Sequence, residues 1–194
     1  MIGQRGRWWT TLSRRATVLI GLVLLCSIEA TASAQPAIPD EYQVKAAFLF
    51  NFAQFVEWPA RAFASKETPL VIGILGSDPF GAYLDQLVSG ERIGERPLVV
   101  RRYKRVEDIG ECHILFISRV EAAALAKVLP RLKDRNLLTV GDLDTFTREG
   151  GMVRFAMESG KVRLKINVEA AKACDLTISS KILRPGTIVT PGKD

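Results

Sequence analysis

The segment that most restricts the fold of this chain is residues 40–59, which read DEYQVKAAFLFNFAQFVEWP. Asp40 is a suitable N-cap, and Pro59 disfavours helical geometry at Trp58, so the segment predicts one helix of about five turns. Its large apolar side chains share one arc of this helix, which therefore has to pack against another layer of structure. They are Val44, Phe48, Leu49, Phe52, Phe55 and Val56.

Two aromatic residues interrupt this pattern, because Phe50 and Trp58 project from the polar side of the predicted helix. Large rings are expected there only where something covers them. We therefore interpret this side of the helix as a contact for a partner protein or for a second copy of the chain. The contact residues would be Phe50, Asn51, Gln54 and Trp58.

Residues 1–34 have the pattern of an export signal. Four arginines precede an uncharged run at residues 16–28, and Ala32-Ser33-Ala34 follows, so cleavage is expected after Ala34. The run is short against the roughly 20 residues that span a bilayer, which makes a permanent anchor the weaker alternative. Cleavage would remove four basic residues and one acidic residue, so the formal net charge of +6 would fall to +3. Export also argues against a nucleic-acid partner.

Residues 35–194 are sufficient for one domain with a hydrophobic core of its own, at about residues 40–183. Short apolar runs rich in β-branched residues alternate with helical segments through the middle of the chain. Strands are predicted at residues 69–76, 98–103, 112–118 and 137–140, and a β-hairpin at 152–157 and 161–168. This order predicts a layered α/β domain with a largely parallel sheet and a late antiparallel hairpin.

The carboxyl ends of the predicted parallel strands are the place where open α/β sheets usually collect ligands. The glycines there have neither the dinucleotide-binding spacing nor the lysine of a P-loop, so position is the only argument for a pocket. The residues of this predicted ligand pocket are Gly76, Ser77, Asp78, Ser118, Arg119, Gly141 and Asp142.

No set of residues predicts catalysis or metal binding. His113 is the only histidine and lies in an apolar strand, which favours a structural role. Ser118 and Ser180 have no evident base partner and no Gly-x-Ser-x-Gly context. We therefore predict a protein that is not an enzyme and needs no cofactor or metal, and a hydrolase without a recognisable motif stays open as an alternative.

Two cysteines follow the export signal, Cys112 and Cys174. An oxidising compartment would permit a disulfide between them. The alternative is that each is a small buried hydrophobic residue. The sequence leaves both interpretations open.

Several blocks of the sequence resemble the YfiR-like family of small periplasmic proteins. Residues 42–59, YQVKAAFLFNFAQFVEWP, resemble the start of the family. The segments CHILFIS at 112–118, LTVGD at 138–142, GGMVRF at 150–155 and the stretch 162–183 resemble its later blocks in the same order. The resemblance covers residues 40–183, which is nearly all of the chain after the export signal.

This resemblance implies a non-enzymatic regulator that holds the sensory domain of an inner-membrane diguanylate cyclase inactive. Such a protein lowers cyclic-di-GMP signalling and biofilm formation. The resemblance also implies homodimers and disulfides that affect stability. Because members also occur with other kinases or with outer-membrane transporters, it leaves a second function open, a small-molecule sensor subunit for a membrane histidine kinase or a transporter system.

Overall fold

The computed structural model describes residues 40–118 and 122–190. The predicted export signal at residues 1–34 lies outside these residues, and so does Arg119. The described part is a mixed α/β fold with a mostly parallel central sheet, which confirms the predicted fold class. No helix within these residues is long and apolar enough to span a bilayer.

Ten strands occur in the described residues, and eight of them form the main sheet in the order β10-β8-β7-β6-β5-β2-β4-β3. Neighbouring strands are parallel except for the pairs β3-β4 and β7-β8, and the two short strands β1 and β9 form a separate antiparallel pair. The strands are β1 (Val56–Glu57), β2 (Leu70–Leu75), β3 (Arg92–Ile93), β4 (Arg96–Tyr103), β5 (Ile114–Ile117), β6 (Leu138–Gly141), β7 (Val153–Glu158), β8 (Lys161–Ile166), β9 (Thr177–Ile178) and β10 (Thr187–Ile188).

Helices cover both faces of this sheet. The α-helices are α1 (Asp40–Phe55), α2 (Ala82–Val88), α3 (Ala122–Val128), α4 (Val168–Ala173) and α5 (Ser180–Leu183), and short 3-10 helices span Ala60–Ala62, Val106–Asp108 and Leu129–Leu132. The predicted hairpin is confirmed as β7 and β8. Its two-residue turn, Ser159-Gly160, has positive φ at both positions, as a tight hairpin turn requires.

The sheet divides the hydrophobic interior into two cores. In β2, Ile72 and Ile74 face the core that contains α1, whereas Val71 and Leu75 face the core that contains Leu125 and Phe146. Successive side chains of a strand point to opposite faces, so a strand buried on both sides needs an unbroken apolar run. The sequence LVIGIL of β2 meets that need, and all six of its residues are buried.

Helix α1 differs from its prediction in two respects. It ends at Phe55 because Val56–Glu57 pairs as a strand with Thr177–Ile178, and the Ser179 N–H donates to the Phe55 carbonyl at 2.9 Å. Its buried side is also rotated, since Val44 is 45% exposed whereas Lys45 and Ala46 are buried. Packing against the sheet therefore decided both the end of the helix and the face that it buries.

Candidate functional site

The most unusual feature of the interior is a buried charged network where α1 crosses the carboxyl end of β6. Lys45 is 1% exposed, and its Nζ lies 2.7 Å from Asp142 Oδ2 and 2.5 Å from Glu41 Oε1. Asp142 directly follows β6 and its side chain is only 3% exposed. Isolated charges are strongly disfavoured in such surroundings, so lysine and aspartate are buried together as a pair.

Tyr42 contacts both members of this pair. The Tyr42 hydroxyl donates to Asp142 Oδ2 at 3.2 Å, and Lys45 Nζ lies 4.3 Å from the centre of the Tyr42 ring. Burial by itself lowers the pKa of Lys45, but hydrogen bonds to Asp142 and Glu41 outweigh it and raise the pKa above its ordinary value. Lys45 is therefore an ammonium group in the folded protein.

The residues after β6 and the adjoining start of β7 also contain polar atoms without a partner. Within the described residues, Asp142 Oδ1, Thr145 Oγ1 and Arg154 Nε are buried and make no hydrogen bond in the protein, although the Arg154 guanidinium pairs with Asp144 through another nitrogen. Buried polar groups are nearly always satisfied, so this part of the sheet edge has capacity for further hydrogen bonds.

The predicted pocket residues follow one edge of the sheet. A Cβ atom on Gly76 would lie 3.6 Å from Ser118 Cβ, so these two positions are neighbours, and Gly141 packs closely on the Phe146 ring. Ser77 is exposed, and the two acidic members are already paired, Asp142 with Lys45 and Asp78 with Arg102. Ligand binding at this edge stays a prediction.

Arg102 organises the charges on the exposed part of the same edge. Its side chain bonds Asp85 Oδ2 at 2.6 Å, Asp78 Oδ2 at 2.7 Å and the Gly81 carbonyl at 3.1 Å. The bond to Asp85, followed by that to Asp78, raises the pKa of Arg102 above its ordinary value. Asp78 in turn accepts from the Phe80 N–H at 2.7 Å and so shapes the start of the segment that leads into α2.

The predicted partner surface on α1 is partly covered by the protein itself. Phe50 is half-buried and packs against the core, and the half-buried Trp58 donates from Nε1 to the His113 carbonyl at 3.2 Å. Asn51 is half-buried and Gln54 is exposed. Packing within the chain therefore explains why two large rings lie on this side, and a contact with another molecule stays a prediction.

His113 has a structural place beneath this surface. Its Nδ1 accepts from the Val71 N–H at 3.1 Å, so Nε2 carries the hydrogen and donates to the Ala62 carbonyl at 3.1 Å. The ring stacks on Phe63 with 4.4 Å between the ring centres. Burial lowers the pKa of His113, which favours this neutral form.

The two cysteines are described without a bond between them, and a disulfide between them stays a prediction. Both are free thiols and belong to different cores, with the Cys112 Sγ 3.2 Å from the Ile114 carbonyl and the Cys174 Sγ 3.1 Å from the Lys133 carbonyl. Burial raises the pKa of both thiols, that of Cys112 to about 12.

A cavity of about 430 Å³ lies near the amino ends of β6 and β7, away from the carboxyl end of β6 where Asp142 lies. None of the predicted pocket residues that the structure describes lines it. Sequence reasoning missed this cavity and also missed Lys45. The available signals were a lysine within the apolar run of α1, four residues after Glu41, and Asn167 as an N-cap before α4. The lining residues are Leu129, Leu132, Lys133, Asp134, Thr139, Gly150, Met152, Asn167, Ala170, Ala173 and Cys174.

Comparison with known proteins identifies the family of this chain. The model of the YfiR/HmsC-like family matches residues 42–186, from the first turn of α1 to the residue before β10. Among curated proteins, none matches the chain significantly. The family match confirms the resemblance seen in the sequence and covers most of the chain. The chain therefore belongs to the YfiR/HmsC-like family, whose members are periplasmic regulatory proteins.

Proposed function

We propose that this protein is a non-enzymatic periplasmic regulator that binds the sensory domain of an inner-membrane diguanylate cyclase and holds it inactive. The observation that carries the proposal is the family match over residues 42–186, which leaves only short ends of the described structure unmatched. Through the cyclase, the protein lowers cyclic-di-GMP and limits biofilm formation.

The surroundings of the reactive side chains support a binding role. Asp142 is held by Lys45, and Asp78 by Arg102. His113 uses both ring nitrogens in bonds to the backbone. Groups that are committed to such contacts position the backbone and the helices, and a general base would instead need a nitrogen or oxygen directed at a substrate.

We place the partner contact on the side of α1 that carries Phe50, Asn51, Gln54 and Trp58. Gln54 is the exposed member, and the two half-buried rings offer flat apolar area beside it. Partly exposed aromatic residues beside exposed polar ones are typical of protein contacts. The same surface could instead pair with a second copy of the chain, which light scattering would detect.

The test is deletion of the gene followed by measurement of cyclic-di-GMP. We expect the level to rise, and wild-type protein supplied to the periplasm should restore it. Gln54→Arg should fail to restore it, because a long cation would disturb the contact without touching the core. Gln86→Arg is the matched control, since Gln86 is an exposed glutamine on α2.

Each result has a separate meaning. An unchanged cyclic-di-GMP level after deletion would contradict the cyclase proposal. If cyclic-di-GMP rises after deletion and Gln54→Arg lowers it as well as Gln86→Arg does, the regulator proposal stands and the proposed contact surface is contradicted.

A second function, a small-molecule sensor subunit for a membrane histidine kinase or a transporter system, is favoured by the cavity of about 430 Å³. Its volume is within the range of about 300–1,000 Å³ found for small-molecule sites. A ligand that binds the folded state would raise the unfolding midpoint in a saturable way. Thermal unfolding in the presence of amino acids, vitamins and nucleotides therefore tests this alternative.

A further inference from the structure

The cavity between the 3-10 helix Leu129–Leu132, strand β6 and helix α4 contains an unusual polar group. Asn167 is 1% exposed and lines this cavity, and its Nδ2 has no hydrogen-bond partner in the protein. An unmade hydrogen bond of a buried amide carries a desolvation penalty that a hydrogen-bond acceptor in the cavity would relieve. The cavity therefore offers a ligand a favourable interaction that the protein alone does not supply.

The orientation of this amide is fixed by the fold. Asn167 is the N-cap of α4, and its Oδ1 accepts from the Ala170 N–H at 3.0 Å. An exchange of Oδ1 and Nδ2 would place a donor against that N–H, so Nδ2 has to be the unpartnered end. The Asn167 backbone is also held, since its N–H donates to the Met152 carbonyl at 2.8 Å. The site thus presents a positioned hydrogen-bond donor.

The rest of the lining indicates the kind of molecule that would fit. Thr139 is 3% exposed, and its Oγ1 accepts from the Met152 N–H at 3.1 Å, so its own hydrogen can be donated elsewhere. Most of the remaining wall is apolar. The exposed Lys133 and Asp134 carry opposite charges and so provide little net charge. The apolar members are Leu129, Leu132, Met152, Ala170 and Ala173.

We propose that this cavity binds a small, mainly apolar molecule whose carbonyl or carboxylate oxygen accepts a hydrogen bond from Asn167 Nδ2. The apolar body lies against Leu129 and Met152, and Thr139 is placed to donate a second hydrogen bond. The proposal rests on the cavity and does not depend on the cyclase. Ligand binding and cyclic-di-GMP control are measured separately, so failure of one proposal can be told from failure of the other.

The test uses three probes with the same chain length and different head groups. Octanoate carries a carboxylate, methyl octanoate a neutral carbonyl, and octylamine a cation that donates but does not accept. Thermal unfolding of the purified protein is followed during titration with each probe, and the Asn167 side-chain NH₂ signal is followed by NMR. We expect one or both of the acceptor-bearing probes to raise the midpoint saturably and to shift this signal, and octylamine to do neither.

Two variants locate the binding. Asn167→Asp keeps the cap oxygen but removes the amide hydrogens, and we expect affinity for the effective probe to fall about tenfold or more. Ala170→Leu fills the cavity from α4 and should abolish binding without any change to the polar groups. Lys172→Leu adds the same side chain on the exposed side of that helix and should bind as the wild type does.

The outcomes separate cleanly. Binding of octylamine as tight as that of octanoate and methyl octanoate would overturn the assigned ligand class, and so would the absence of binding by both acceptor-bearing probes. Unchanged affinity in Ala170→Leu would place the binding elsewhere and overturn the site. That variant decides the question even if Asn167→Asp fails to fold.

Discussion

Two ion pairs at the same edge of the sheet have equal lengths and opposite surroundings. Lys45–Asp142 and Arg102–Asp78 both have a nitrogen–oxygen distance of 2.7 Å, and both aspartates follow parallel strands. The Lys45 side chain is 2% exposed, whereas that of Arg102 is 40% exposed. Geometry alone would rank the two pairs as equal. Burial decides how much stability is lost when one partner of each pair is removed, because water can replace a lost partner only at the exposed pair.

The largest effect should come from removal of the buried cation. Lys45→Met keeps much of the apolar stem but leaves Asp142 buried without its partner. We expect the free energy of unfolding to fall by about 3–5 kcal/mol, as for other broken buried pairs. Urea unfolding at neutral pH measures it. The double variant Lys45→Met/Asp142→Leu is the control, since it removes both charges.

The double variant should recover most of that loss, because replacement of a whole buried pair by apolar residues is often close to neutral. If Lys45→Met loses less than about 1 kcal/mol, the range of exposed pairs, then water reaches Asp142 and the contrast between the two pairs is wrong.

An intermediate effect is expected from pH at His113, a buried group whose two ring nitrogens bond to the backbone. Burial lowers the pKa of His113 in the folded state, so the unfolded chain takes up a proton first as the pH falls below about 6.5. The free energy of unfolding should therefore decrease as the pH falls through this range. Above this range, the neutral His113 should make its full contribution to stability. Urea midpoints at about pH 7.5 and about pH 5.5 bracket the ordinary histidine pKa.

His113→Gln provides the control for the pH effect. A glutamine can accept from Val71 and donate to Ala62 but does not titrate. The variant should lose part of the pH dependence between the two conditions. An identical pH slope in both proteins would mean that other groups cause it. Lys45 stays charged when buried because two carboxylates lie beside it, whereas His113 bonds to the backbone. The result also tests this explanation.

The smallest effect should come from the exposed pair. Arg102→Met removes the bonds to Asp78 and Asp85, and we expect a loss of about 0–1 kcal/mol, reduced further at high salt. The measurement is the same urea titration at low and high sodium chloride. A loss as large as that of Lys45→Met would show that the Arg102 cluster holds the start of α2 more firmly than its exposure indicates.

Several elements of the fold could be predicted from local sequence. The run LVIGIL predicted a fully buried strand because a strand covered on both faces has no polar positions, and the turn Ser159-Gly160 predicted a hairpin. The end of α1 and the burial of Lys45 could not be predicted in the same way. Val56 pairs with Ile178, more than a hundred residues away, and Lys45 is buried only because Asp142 meets it.

The candidate sites show the same division. The sequence placed Gly76, Ser118 and Asp142 at one edge because parallel strands align their carboxyl ends. It could not show that Asp142 is already occupied by a lysine from α1, or that Asn167 faces a cavity with an unpartnered amide. Both depend on which side chains meet after the helices pack.

The sequence by itself determined the alternation of strands and helices and the hairpin, because periodicity and turn residues act over a few neighbouring positions. The resemblance of several sequence blocks indicated the family. Only the tertiary structure decided which charges are buried, that Cys112 and Cys174 lie in separate cores, and where the cavity lies. Burial is a property of distant segments brought together, and the energies of charges and thiols follow burial more than residue type.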